Sequence, residues 1–141
     1  MKQIEYVLMI GVALSGKTTY RKANFNYEVI ALSYFNNNRK KELEYIEKCL
    51  KDGRSIIVDD TNLTVSIRKQ HIDLAKKFNA KVRGIFMNTS TVLLEQRQKR
   101  RRDSIPLSVI YKQIKELEVP TMEEGFEGLI VKKDYEYPKS T

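Results

Sequence analysis

The sequence predicts an α/β layered sandwich built on a parallel sheet, and three observations carry that reading. Short apolar runs alternate with longer amphipathic segments almost throughout the chain, the pattern of parallel strands joined by right-handed helical crossovers. Two of the runs, YVLMI at 6–10 and SIIV at 55–58, are apolar at nearly every position, as strands covered on both faces are. The first run leads directly into a glycine-containing turn, GVALSGKTT at 11–19.

Taken in order, 4–10 reads as a first strand and 17–23 as a helix opening from the turn. A second strand is expected at 28–32, then a helix at 39–51 with Leu43, Ile46, Cys49 and Leu50 at helical spacing. Asp52-Gly53 ends that helix, and Asp59-Asp60 closes the strand at 55–58. Along 65–78, Ile67, His71, Leu74, Ala75 and Phe78 share one face. A strand at 81–87, a helix at 92–101 that turns strongly basic, a helix from Pro106 to before Pro120, and a strand at 128–131 complete the pattern. These elements define one domain over 1–133; the polar end, DYEYPKST at 134–141, is expected to fray.

Composition narrows the class. The chain has 141 residues, 41% hydrophobic and 31% charged, enough for a core without covalent staples. It has no apolar run long enough to span a membrane and no signal-peptide pattern. Its single cysteine, Cys49, excludes an internal disulfide and reads as a buried hydrophobe, so a reducing, cytoplasmic setting is expected. Lys and Arg outnumber Asp and Glu by 26 to 18, a net charge of +8, which suits polyanionic partners.

The turn after the first strand matches G-x-x-x-x-G-K-[ST] from Gly11 to Thr18. The spacing has a mechanical reason: Gly11 lets the chain leave the strand sharply, and Gly16 keeps side chains away while backbone N–H groups face phosphates. Lys17 would reach the β- and γ-phosphates, and the Thr18 hydroxyl would take a Mg²⁺ position. The helix that starts there adds its positive end. The set expected to face ATP is therefore Gly11, Leu14, Ser15, Gly16, Lys17, Thr18 and Thr19. Such a site needs a carboxylate at the end of a neighbouring strand, and Asp59 and Asp60 both follow SIIV. One would join Thr18 at the metal, for which Asp59 is the choice; the other would be a helix cap or a second catalytic carboxylate.

In QRQKRRRD, Arg97 and Arg101 stand at i, i+4 on one helical face. Guanidinium forks match the oxygens of a phosphoryl group in transfer. Five cations among the six residues 97–102 would repel one another without an anion nearby, so the helix reads as a lid over the nucleotide.

With these motifs in place, the chain resembles the P-loop kinases of the 5′-hydroxyl polynucleotide kinase group. The resemblance rests on GVALSGKTT, on DDTNLTVSIR at 59–68, on the Arg97/Arg101 pair, on I-P-x-x-V-I at 105–110 and on VPTMEEGFEGLIV at 119–131. It covers roughly Glu5 to Val131, and the DTN and EGF segments lie outside the motif common to all P-loop proteins. It implies an adenylate-kinase-like P-loop NTPase sandwich in which ATP and Mg²⁺ phosphorylate the 5′-hydroxyl end of DNA or RNA. By the same resemblance Asn62 supports the carboxylate loop and Arg68 lies near the substrate. The resemblance also implies that the acceptor lies by Ser33, Tyr34, Phe35 and Arg39 to Lys41. Thr61 and Asn62 suit equally the capping of the helix from Val65.

One departure stands out. Relatives carry an acidic residue after the second strand that acts as general base on the acceptor hydroxyl. Here Ser33 or Tyr34 takes that place, and no Asp or Glu occurs between Glu28 and Glu42. Neither hydroxyl is a competent base near neutral pH. Three explanations stay open: an Asp at 59–60 is the base, a loose transfer proceeds without one, or the chain binds nucleotide with little transfer. A nucleoside or other small-molecule kinase is the alternative on the same scaffold. His71, the only histidine, is expected to be buried, and no His/Cys cluster suggests a transition metal.

Overall fold

The computed structural model describes residues 2–101 and 105–137. Five parallel strands form one sheet in the order β2-β3-β1-β4-β5, with β1 at Glu5–Ile10, β2 at Glu28–Ile30, β3 at Ile56–Val58, β4 at Lys81–Asn88 and β5 at Gly128–Lys133. The expected parallel sandwich is the observed one. Because side chains alternate across a strand, β1 supplies two cores at once. Tyr6, Leu8 and Ile10 face α2 (Arg39–Lys51) and α3 (Val65–Lys77) through Ile46, Cys49, Ile72 and Ala75. Val7 and Met9 face the other way, toward Tyr20 of α1 (Lys17–Asn24), Phe25 and Tyr135. Tyr6 to Ile10 are all fully buried, as a strand apolar at every position requires.

A third, smaller core lies beyond the sheet's C-terminal edge. Val12 and Leu14 of the glycine turn and Leu63 meet Leu94 of α4 (Thr91–Arg100) and Ile110 of α5 (Leu107–Glu116). The basic helix is thereby attached to the glycine turn by apolar contact. Among the described residues, no helix is long and apolar enough to cross a membrane.

Two elements differ from the pattern read in the sequence. The second strand stops at Ile30, and Leu32–Phe35 turns into a 3-10 helix. The cause is local: the Asp60 carboxylate accepts from Leu32 N at 2.6 Å, pulling the chain out of the ladder. Asp134 to Tyr137, expected to fray, fold back: Asp134 N donates to Asn88 O, and its side chain accepts from Ser90 N at 2.7 Å. Residues 138–141 of that tail, and Arg102 of the basic run, lie outside the described residues.

The helix at Val65 is capped by Thr64, whose hydroxyl accepts from Ile67 N, so Asn62 is released for another task. Its Nδ2 donates to Met9 O at 2.8 Å, while its own carbonyl accepts from Arg68. Arg68 is itself fully buried, with Nε and a terminal nitrogen on the two oxygens of Glu124, at 2.7 and 3.1 Å. The substrate contact expected of Arg68 is therefore corrected: its guanidinium is spent on Glu124 and on the loop carbonyl. Truncation would leave the largely buried Glu124 carboxylate without its counter-ion. Arg68→Ala is expected to cost about 3–5 kcal/mol of stability, checked by urea unfolding.

Candidate active site

The parallel pairing of β1 with β3 sets Leu8 beside Val58, so the turns that follow the two strands emerge side by side. Gly11 N donates to Thr61 O at 3.0 Å and ties them together. A Cβ at Gly11 would lie 2.6 Å from Ser15 Oγ, and Gly16 has φ +104°, so neither position accepts a side chain. Leu14 also holds a positive φ, +66°. The turn is wound tightly enough to bury Ser15 completely and leave its hydroxyl oxygen without a partner among the described residues. An orphaned hydroxyl inside a ring of backbone amides fits a phosphate cradle.

Lys17 stretches across the mouth of this cradle, donating to Gly11 O and Val12 O at 2.8 and 2.7 Å. Burial lowers its ammonium from the usual range to about 8, with Asp59 and Asp60 pulling the other way. The neighbouring Thr18 hydroxyl donates to Asp59 Oδ2 at 2.8 Å, and Arg21 Nε meets the same oxygen at 3.0 Å. Thr18 and Asp59 were the pair expected at the metal, and they are in contact. A hydroxyl and a carboxylate are the hard oxygen donors that Mg²⁺ takes. Arg21 was not singled out by sequence, although it stands one turn beyond Lys17 on the same helix.

Asp60, next in the chain, turns away from that pair. Besides Leu32 N it accepts from Arg39 at 3.3 Å, and Arg39 also meets the buried carboxylate of Glu42 at 2.7 Å. Oxygen or nitrogen atoms of Glu42, Asp60 and His71 lie within 4.8 Å of one another. The two aspartates thus divide their work: Asp59 faces the phosphate turn, and Asp60 faces the turn that carries Ser33 and Tyr34. Both of those residues are exposed, Tyr34 by 64%. Glu42 is the carboxyl that sequence reading passed over. Its signal was its place four residues before Ile46, on the apolar face of α2.

Over the cradle lies a cleft of about 920 Å³, lined by Leu14, Gly16 to Thr19, α4 residues that include Arg97 and Arg100, Arg101 just after that helix, and Asp134, Glu136 and Tyr137. Arg97 donates to Leu14 O at 2.8 Å and to Tyr135 O. The Tyr137 ring lies 4.3 Å from its guanidinium carbon. The arginine helix is therefore next to the phosphate turn, as the lid reading expected, and the folded-back tail forms a wall of the same cleft.

Comparison with known proteins agrees with this geometry. Residues 19–120 match the protein family described as an AAA domain. The chain belongs to that family. It is 30% identical over 130 residues to the bifunctional polynucleotide phosphatase/kinase of Schizosaccharomyces pombe, an alignment covering 86% of this chain. The chain spans 32% of that protein's length, about a third. A sugar kinase from Janibacter sp. HTCC2649 superposes with a TM-score of 0.70 at 20% identity, covering 92% of this chain and 85% of that one. The APS kinase of Mycobacterium tuberculosis, solved with AMPPNP and APS, gives 0.61 at 14% identity over 93% and 90%. The fold is that of the P-loop kinases, and a P-loop kinase implies ATP binding.

A lysine at about 8 is half neutral at that pH, and only its charged form attracts phosphate. ATP itself is fully ionised above neutrality, so a fall in affinity from pH 7 to 9 would report on Lys17. The dissociation constant is expected to rise by up to about tenfold over that range, measured by calorimetry, with Lys17→Ala weak throughout and flat.

Proposed function

We propose that this chain transfers the γ-phosphate of ATP to the 5′-hydroxyl end of DNA or RNA. The observation that carries the proposal is the meeting of Lys17, the Thr18–Asp59 pair and Arg97 around one cleft, in a chain related to a polynucleotide phosphatase/kinase. The catalytic unit spans 1–133, with Asp134 to Tyr137 completing the nucleotide cleft.

In this reading Gly11 to Thr19 cradle the β- and γ-phosphates, and Lys17 exchanges its two loop carbonyls for phosphate oxygens. Mg²⁺ held by Thr18 and Asp59 would supply a Lewis acid on the phosphate oxygens. Arg97 and Arg101 balance the charge that spreads over the phosphoryl group. α4 is held to the cradle by Leu94, which keeps both arginines above it and limits water. On the acceptor side Tyr34 offers an exposed ring on which a terminal base can stack, and Arg39 to Lys41 offer cations for the strand's phosphates. Asp60 is the carboxylate nearest the acceptor turn, and proton acceptance from the hydroxyl falls to it in place of the residue missing at Ser33–Tyr34.

The test is label transfer from γ-labelled ATP to 5′-hydroxyl DNA and RNA oligonucleotides, with mononucleosides alongside. Oligonucleotide ends are expected to take up label, and Lys17→Ala and Asp59→Asn each to lose ~10²-fold or more. Label on nucleosides irrespective of chain length would replace this reading by a small-molecule kinase. ATP binding without transfer to any hydroxyl would make the bare acceptor turn decisive.

A further inference from the structure

Beneath the acceptor turn, Asp60 and Arg39 belong to a set of buried polar groups whose other members, Glu42 and His71, the reaction as described does not use. Glu42 is fully buried at the start of α2; its Oε1 accepts from Arg39, and its Oε2 has no partner among the described residues. Asp60 Oδ2 accepts from the same guanidinium nitrogen. His71, from α3, is also fully buried; its Nδ1 meets the Tyr6 hydroxyl of β1 at 2.6 Å and its Nε2 has no partner among the described residues. The groups that face Glu42 are thus Arg39 on its own helix, Asp60 after β3, His71 on α3 and Tyr6 on β1.

The charges of this cluster do not close. Burial, then the Arg39 charge, drives the His71 imidazole down to about 3, so it is neutral. Tyr6 is driven up by burial and by the two carboxylates, so it is neutral too. Two carboxylates then share one guanidinium nitrogen in a region nearly closed to water, which sets them in repulsion. One proton removes it. The unpartnered Oε2 of Glu42 has room for that proton, and the Asp60 carboxylate, in the same cluster, is the acceptor a Glu42 O–H would serve.

We propose that Glu42 is a positioning residue for the acceptor side of the cleft, holding Asp60 and Arg39 in place through a proton on its carboxyl. The inference rests on the kinase reading above and supplies what the acceptor turn lacks. Neutral Glu42 donates to Asp60 and accepts from Arg39, so Asp60 keeps Leu32 N and Arg39 stays at the mouth of the turn. Burial first, and then Asp60, push the Glu42 carboxyl up to about 8, against the pull of Arg39. Above that pH the donor is lost, two carboxylates face each other, and the grip on the acceptor turn loosens.

The experiment compares wild type with Glu42→Gln, whose amide is permanently neutral and keeps an N–H donor. At saturating ATP, where Lys17 no longer limits binding, the wild-type KM for a 5′-hydroxyl oligonucleotide is expected to rise about tenfold from pH 7 to 9. In Glu42→Gln it stays level. In parallel, carbon-13 NMR of the glutamate carboxyls should show one group titrating near 8 in the full wild-type chain and missing from Glu42→Gln. An active wild type whose pH profile Glu42→Gln leaves unchanged, or the absence of any glutamate titrating above ~6, overturns the inference. A wild type that transfers to no acceptor overturns the kinase reading, and the positioning role with it, whatever the NMR shows. Should Glu42→Gln not fold, Arg39→Gln read by NMR alone must move the glutamate titration upward; no movement overturns the inference as well.

Discussion

Everything at the candidate site depends on one constraint, the pairing of β1 with β3. Two parallel neighbours end at the same edge of a sheet, and their following turns are forced together. Here the register from Tyr6↔Ile56 to Leu8↔Val58 brings the glycine turn and the Asp59-Asp60 turn into hydrogen-bond contact at Gly11 and Thr61. Neither turn could hold its shape alone, since each contains backbone in the left-handed region, at Leu14 and at Asn62. Each is held by the other and by long side chains from elsewhere. Asn62 and Arg68 fasten the second turn from below, and Arg97 fastens Leu14 from above. The strands set where the chemistry sits, and these polar clamps set its shape.

The buried arginine shows what that costs. Arg68 gives up all exposure, and the charge is tolerable only because Glu124 meets it with two hydrogen bonds. Glu124 also closes a capping box with Thr121 on the short turn Met122–Glu124. A segment far along the chain is thus bound to the carboxylate loop. This gives the P-T-x-x-E-G-F segment a physical purpose: it carries the counter-ion for the arginine that holds Asn62 in place.

The parts of this arrangement legible in the sequence are those whose signal is local. Strand β1 announces itself by five apolar residues in a row, the cradle by its glycines and Lys17, and the Thr18–Asp59 contact by strand adjacency. Glu42 was hidden because a glutamate in the first turn of a helix reads as a solvated charge. Only its phase with Ile46 and Cys49 marked it as buried. The return of Asp134 to Tyr137 was hidden for the opposite reason. A short polar tail offers no periodicity, and what holds it is the Ser90 amide, Arg97 and the ring of Tyr20, all distant in sequence. Arg68 was placed near the substrate by the family resemblance, which does not show what its side chain meets. The partner that claims it lies 56 residues away.

The two sides of the cleft are built on different principles, and the difference bears on how such a chain can change its acceptor. The proposed nucleotide side is made of the glycine turn and of cations on separate elements, Lys17 and Arg97 among them. On the acceptor side a short exposed turn rests on a buried ion cluster. Its outer residues Ser33 and Tyr34 are exposed and can vary at little expense to the fold, whereas Asn36 and Asn37 hold left-handed backbone and Asn38 caps α2. Arg39 and Asp60 cannot vary one at a time, because removing either charge leaves the other without its counter-ion. On the proposed kinase reading, a chain without a carboxylate in the turn would keep in such a cluster the means to orient an acceptor. The acid–base function can move inward to groups that the fold already protects.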